Sequence, residues 1–122
     1  MKLQPDFVYI ACPYSHPNPL VRQRRYKAVT KAAAHLLAQG LIVYSPITHS
    51  HPMAMRADLP DWEFWQKYDE TFLLHSRMMV VLAIHGWEES RGVRAEMAFA
   101  ALHSIPTFLL EPETYIIGGE IA

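Results

Sequence analysis

Cysteine is nearly absent from this chain. A single residue, Cys12, excludes an intramolecular disulfide framework and fits a reducing compartment. Excess charge of either sign is missing too: 11 Lys and Arg face 12 Asp and Glu, a formal net charge of -1. That removes any global pull toward nucleic acid or an acidic membrane surface. No apolar run approaches the roughly 20 residues that a membrane span needs. The opening residues, Met1 to Asp6, hold no apolar stretch of the length a secretory signal requires. Internal repeats, low-complexity tracts and linkers are also lacking. One domain over residues 1–122 is expected, cytoplasmic, with no membrane, nucleic-acid or cofactor partner.

Apolar residues are plentiful instead, at 51% of the chain. That is generous for one small core and implies that some apolar surface meets another subunit, as a homodimer or homotetramer.

Along the chain, short β-rich apolar runs alternate with helical periodicity. Phe7-Val8-Tyr9-Ile10-Ala11 reads as a buried strand, closed by a loop containing Pro13, Pro17 and Pro19. Residues 20–39 read as a helix with Tyr26, Val29, Ala33, Leu36 and Leu37 on one stripe, ended by Gly40. Leu41 to Tyr44 is the second strand. Residues 45–60 hold Pro46, Pro52 and Pro60 and read as a long polar loop of a functional kind. A second helix over 61–76, a strand over 78–84, a third helix over 91–104 and a strand over 107–110 follow. The tail around Tyr115-Ile116-Ile117 is a candidate for a fifth strand. This order predicts a three-layer α/β domain: a mostly parallel sheet of four or five strands with helices on both faces. Ligands in such domains bind beyond the carboxyl ends of the strands. Those ends are residues 12–17, 45–51 and 85–90, where the unusual residues gather.

One segment carries the most chemistry. After the apolar run 78–84 comes Ser90-Arg91-Gly92-Val93-Arg94-Ala95-Glu96 at the start of a helix. Ser90 is a natural N-cap. The unpaired amides of the first turn, with the positive end of the helix dipole, favour an anion there. Glu96 sits six residues beyond Ser90 and projects as a candidate reacting acid.

With these elements in order, the chain resembles the nucleoside 2-deoxyribosyltransferase superfamily, which includes nucleotide N-glycosidases. Tyr9-Ile10-Ala11-Cys12-Pro13-Tyr14 looks like that family's first strand and the loop facing sugar or phosphate. Asp69 lies on a helix before the third strand, as the family's substrate-binding aspartate does. Ser90-x-Gly92-Val93-x-x-Glu96-x-x-x-Ala100 looks like the nucleophile segment. Gly86-Trp87-Glu88-x-Ser90-x-Gly92 also resembles the mark of a bacterial subfamily. The resemblance implies a Rossmann-like or flavodoxin-like fold and a small-molecule nucleotide or nucleoside as partner. It implies Glu96 as the nucleophile at the sugar C1′, and Asp69 as the residue that binds the sugar or protonates the base. Family members acting on unphosphorylated nucleosides typically carry aspartate where Ser90 stands, whereas the nucleotide hydrolases carry serine. That implies a 5′-phosphorylated substrate. Loop 45–60 aligns with neither branch.

Other candidates follow from position. Ser15, His16, Ser90 and the Gly92 and Val93 amides are candidates to hold a phosphate. Tyr14 and Trp87 are candidates to stack on a base. Without the resemblance, Asp69 reads as a solvated helix acid beside Lys67 or Arg77, and Glu63, Glu70, Glu88 and Glu89 are rival acids. The cations Arg22, Arg24, Arg25, Lys27 and Lys31 read first as a solvated helix face. Trp62 and Trp65 read as core or interface. His49-Ser50-His51 contributes either ligand contacts or, as a weaker reading, a metal site completed by Asp58, Asp61 or His16. Three classes therefore stand open: an N-glycosidase or transferase, a non-catalytic nucleotide-binding domain on the same fold, and a metal-assisted hydrolase.

Overall fold

The computed structural model describes residues 7–54 and 62–121. Five strands form one sheet: β1 (Val8–Ala11), β2 (Val43–Tyr44), β3 (Met78–Leu82), β4 (Thr107–Leu110) and β5 (Ile117–Glu120). Their order across the sheet is β2-β1-β3-β4-β5. β1 to β4 run parallel, and β5 returns antiparallel to β4 with an irregular register between Phe108 and Leu110. Four helices complete the chain: α1 (Pro19–Ala38), α2 (Pro46–Ala54), α3 (Trp62–Leu74) and α4 (Arg91–Leu102). α1 exceeds four turns, yet no helix among the described residues is long and apolar enough to cross a membrane.

The expected three-layer α/β arrangement is present. β1 and β3 are continuous apolar runs because both of their faces are covered. On one face, Val8, Ile10, Val80 and Leu82 pack with Val29, Ala32, Ala33 and Leu36 of α1. On the other, Tyr9, Met79 and Val81 pack with Leu73 of α3 and with Val93 and Ala100 of α4. β1 lies between its two successors, so the chain reverses direction across the sheet at the β1–β3 seam. Such a reversal leaves a crevice outside the carboxyl ends of the strands.

Four local readings change. The buried stripe of α1 is Val29, Ala32, Ala33 and Leu36, spaced i, i+3, i+4, i+7. Leu37 stands one step further round and is 53% exposed, so it is not part of the stripe. The loop expected over 45–60 contains helix α2. Pro46 occupies its first position, where a missing N–H costs nothing, and the Ser45 Oγ accepts from the Thr48 amide at 3.4 Å. Pro52 stands inside α2 near its end, interrupting only the last turn. Strand β3 ends at Leu82 rather than residue 84. The fifth strand begins at Ile117 because residues 111–116 form a turn, with Glu113 and Tyr115 at positive φ.

Gly40 closes α1 as expected. It adopts φ +93, its amide bonds Leu37 O, and the Leu41 amide bonds Leu36 O, a Schellman closure. A Cβ at Gly40 would meet nothing within 4 Å. Only backbone strain then opposes a side chain there. Gly40→Ala is expected to cost about 1 kcal/mol in urea unfolding; no change would show that the closure adds nothing.

Candidate active site

The crevice at the β1–β3 seam is a cavity of about 610 Å³. Its walls come from the loop after β1, from α1, α2 and α3, and from the turn and helix after β3. Glu96 and Asp69 enter it from different helices, so the fold brings together two acids that lie 27 positions apart in sequence.

Glu96 lies in the second turn of α4, on the side that faces the sheet. Tyr9, fully buried on β1, donates its hydroxyl to Glu96 Oε2. The sequence places Tyr9 on the first strand and in the family-like segment 9–14, with no role for its hydroxyl. Its signal is the odd register of an apolar strand carrying one polar tip, which buried tyrosines use to reach a partner. Burial drives the Glu96 carboxyl up to about 8 against the opposing effect of the Tyr9 hydrogen bond, and the charges of Asp69 and Glu70 add to the rise. Burial, then Glu70, pushes Asp69 up to about 7. Asp69 Oδ1 is buried with no hydrogen-bond partner among the described residues. Such an atom costs free energy unless something fills the site and bonds it. Glu70, the rival acid on α3, is engaged by the Gln66 amide at 3.2 Å.

Another part of the cavity wall is cationic and held by α1. Arg25 Nη1 donates to Ser15 O at 3.0 Å, and Arg22 donates to His16 O. The face read as solvated therefore pins the loop after β1. Gly86, at φ +92, lies against the Arg25 guanidinium: a Cβ there would come within 2.8 Å of Nη2. Arg25 thus bridges the loops after β1 and β3 and lines the cavity.

Ser90 caps α4, with its Oγ accepting from the Val93 amide at 3.2 Å. That amide is thereby committed to the cap, and Val93 is buried in the core rather than exposed to the cavity. Ser90 and Gly92 do line the cavity, as do Tyr14, Ser15, His16 and His51. Trp87 does not. It packs against the core cluster over β3 and α4, and Trp65 of α3 supplies the indole wall instead. Trp65 meets Phe64 and Tyr68 edge-on at 5.1 and 5.4 Å.

His49 and His51 part company. On a helix, residues two apart point about 200° from each other. His51 turns into the cavity wall and is 6% exposed, whereas His49 is exposed and lies parallel to Tyr68 at 6.1 Å. The pair cannot share one ion. No group of three His, Cys, Asp or Glu among the described residues could hold a metal, and Asp58 and Asp61 lie outside those residues. Cys12 also lines the cavity, but burial pushes its thiol up to about 12, leaving it a neutral wall group.

The sheet order and helix placement define an α/β protein with a nucleoside 2-deoxyribosyltransferase-like fold. The chain belongs to the family described as Domain of unknown function (DUF1937), which matches residues 6–112. Its structure is similar to that of a 2-deoxyribosyltransferase from the psychrotolerant bacterium Bacillus psychrosaccharolyticus. The TM-score is 0.63 at 21% sequence identity, over 95% of this chain and 76% of that chain. No curated protein matches the sequence.

The raised Glu96 has a consequence for stability. The native carboxyl keeps its proton up to about pH 8, whereas the unfolded one releases it near 4.5. The unfolded state is therefore favoured as pH rises through that window. Glu96→Gln stays neutral and still accepts from Tyr9. Its melting temperature is expected to match the wild type near pH 5 and exceed it by more than about 5 °C near pH 8. Parallel melting curves would contradict the burial of that carboxyl.

Proposed function

We propose that the protein cleaves the N-glycosidic bond of a nucleoside 5′-monophosphate or nucleoside, by hydrolysis or by transfer to a second base. The observation that carries this reading is the meeting of Glu96 and Asp69 in one cavity, with Tyr9 bonded behind Glu96. In this mechanism the reacting form is the less populated of the two singly protonated ones, with the proton on Asp69 and Glu96 ionised; the Glu96 carboxylate attacks C1′ as the C1′–N bond breaks. The bond's electron pair leaves with the base. Asp69, which burial pushes up to about 7, in that form donates its proton to the departing base or bonds a sugar hydroxyl. Water, or a second base, then displaces Glu96 from C1′, and Asp69 takes up the released proton. The Tyr9 hydroxyl favours the charged Glu96 and holds its orientation. The named neighbour's own activity, deoxyribosyl transfer, agrees with this chemistry.

The phosphate reading is supported by the cationic side of the cavity. Arg25, the Ser15 and Ser90 hydroxyls and the start of α4 at Gly92 line the same cavity as the acids, with Gly92 one turn before Glu96 on the same helix face. A ligand with an anion at one end and a reacting sugar carbon about a ribose away matches that polarity.

A second reading, a binding domain without turnover, has one specific support. With Glu96 up at about 8, the pair enters neutral pH holding protons, and a protonated Glu96 binds a ligand without attacking it. Base release decides between them. Ribo- and deoxyribonucleosides and their 5′-monophosphates, incubated with the protein and separated by chromatography, are expected to yield free base. Glu96→Ala is expected to lower the rate by at least about a thousandfold while keeping the fold. Equal release by that variant ends the Glu96 proposal, and saturable binding with no release ends the enzyme reading.

The pH dependence follows from the two acids. The productive form needs one proton on the pair, so kcat/KM is expected to be bell-shaped with flanks near 7 and 8. A narrow bell centred near pH 4 would show that the acids titrate normally. We also propose a homodimer or homotetramer, because Phe64, Leu74 and Leu102 expose 43%, 46% and 79% of their surfaces on the α3 and α4 face. Light scattering at micromolar concentration checks it; a monomer contradicts it.

A further inference from the structure

Helix α2, hidden from the sequence by its prolines, places His51 where it touches three groups at once. His51 Nδ1 and the Tyr14 hydroxyl lie 2.6 Å apart. His51 Nε2 lies 3.0 Å from Gln23 Oε1 of α1. The Tyr26 ring stacks on the imidazole, with centroids 4.1 Å apart at 20°. Tyr14 stands edge-on to the same ring. Both Tyr14 and His51 line the cavity, so this hydrogen bond is part of its wall.

The orientation of the Gln23 amide sets the roles in this chain. With the Gln23 carboxamide placed so that its oxygen faces Nε2, that oxygen only accepts, and Nε2 of His51 carries the proton. In a neutral imidazole the other nitrogen then has only a lone pair, so Nδ1 accepts and the Tyr14 O–H donates to it. The Tyr14 oxygen is left with lone pairs and no hydrogen to offer the cavity. We infer that Gln23 and His51 are positioning residues that set the Tyr14 hydroxyl as an acceptor, so that it selects a hydrogen-bond donor on the ligand. A sugar hydroxyl or an exocyclic amine fits; a phosphate or carbonyl oxygen does not. This rests on the glycosidic reading only for which ligand arrives.

The neutral state of His51 has its own support. Burial disfavours the imidazolium, and the Arg22 guanidinium beside it acts in the same direction. Arg25 and His16 are further basic groups lining the cavity, and Asp69 and Glu96 are acids lining it. Below its titration, His51 gains a proton at Nδ1 and becomes a donor to Tyr14. The Tyr14 O–H is then released toward the cavity, and the wall changes from acceptor to donor.

The arrangement is testable on the empty protein. Histidine labelled with nitrogen-15 reports the tautomer directly, with His51→Gln assigning the signal. The Nε2–H form is expected at pH 7.5, and Gln23→Leu is expected to convert it to a mixture. Gln23→Glu, which keeps an acceptor at that position, restores the single tautomer. An Nδ1–H signal or an imidazolium at pH 7.5 overturns the inference without touching the glycosidic reading. Turnover supplies the second arm, using whichever nucleoside or monophosphate releases base. Tyr14→Phe is expected to raise KM about tenfold with little change in kcat, as loss of one hydrogen bond requires. The wild-type KM is expected to rise on acidification through the His51 titration, and the ratio of variant to wild-type KM to fall toward one. A ratio that stays constant with pH overturns the polarity assignment, because the substrate's own titration is common to both proteins.

Discussion

Two carboxyl groups taken out of water in one crevice are the constraint around which this structure is arranged. Burial is the largest influence on both Glu96 and Asp69; Asp69 and Glu70 raise Glu96 further, and Glu70 raises Asp69. A protein that needed only stability would not keep them there, since a buried acid opposes folding as soon as it ionises. Tyr9 limits that opposition for Glu96 with a single hydrogen bond from the centre of the sheet. Asp69 Oδ1 has no such donor among the described residues. The site is thus incomplete in one specific respect, and a hydroxyl or protonated base placed at Asp69 would complete it.

The frame that holds these acids follows from strand order. β1 lies between β2 and β3, so the loops after β1 and β3 diverge to opposite sides and leave room between them. α4 then starts at that opening, and its second turn carries Glu96 back against Tyr9 of β1. On the other side, α1 sends Arg22 and Arg25 onto the carbonyls of His16 and Ser15. That fixes a loop whose own residues form no regular structure. Arg25 also presses on Gly86, so both loops are referred to one side chain. The cavity is therefore shaped by elements whose cores are already packed, which limits the reorganisation needed on binding.

The helices and parallel strands were legible because their signals are local. β1 and β3 are uninterrupted apolar runs, Ser90 is a capping residue, and Gly40 is a helix stop. α2 was illegible because two prolines outweigh a nine-residue pattern, although Pro46 at a first position with Ser45 before it permits a helix. That one miss carried others with it. Read on a loop, His49 and His51 look like neighbours; on a helix they face apart, and one of them joins the cavity wall. Of the site, Glu96 and Asp69 were visible through their place in a recurring pattern. Tyr9, Arg25 and Trp65 were not, because their roles depend on which element lies opposite, and nothing in the sequence states that. Trp87 was placed at the ligand edge for its loop position, but burying an indole against the core outweighs leaving it on a turn.

The sharpest question is whether a bond forms between Glu96 and the sugar. A 2′-fluoro nucleoside 5′-monophosphate answers it, since fluorine beside C1′ destabilises the cation-like state and slows release of a glycosyl ester. Intact-mass spectrometry after incubation is predicted to show the protein heavier by one fluorinated deoxyribose phosphate, with the adduct mapped by peptide digestion to Glu96. Base release with unchanged protein mass, or an adduct on Asp69 or Glu89, would contradict it.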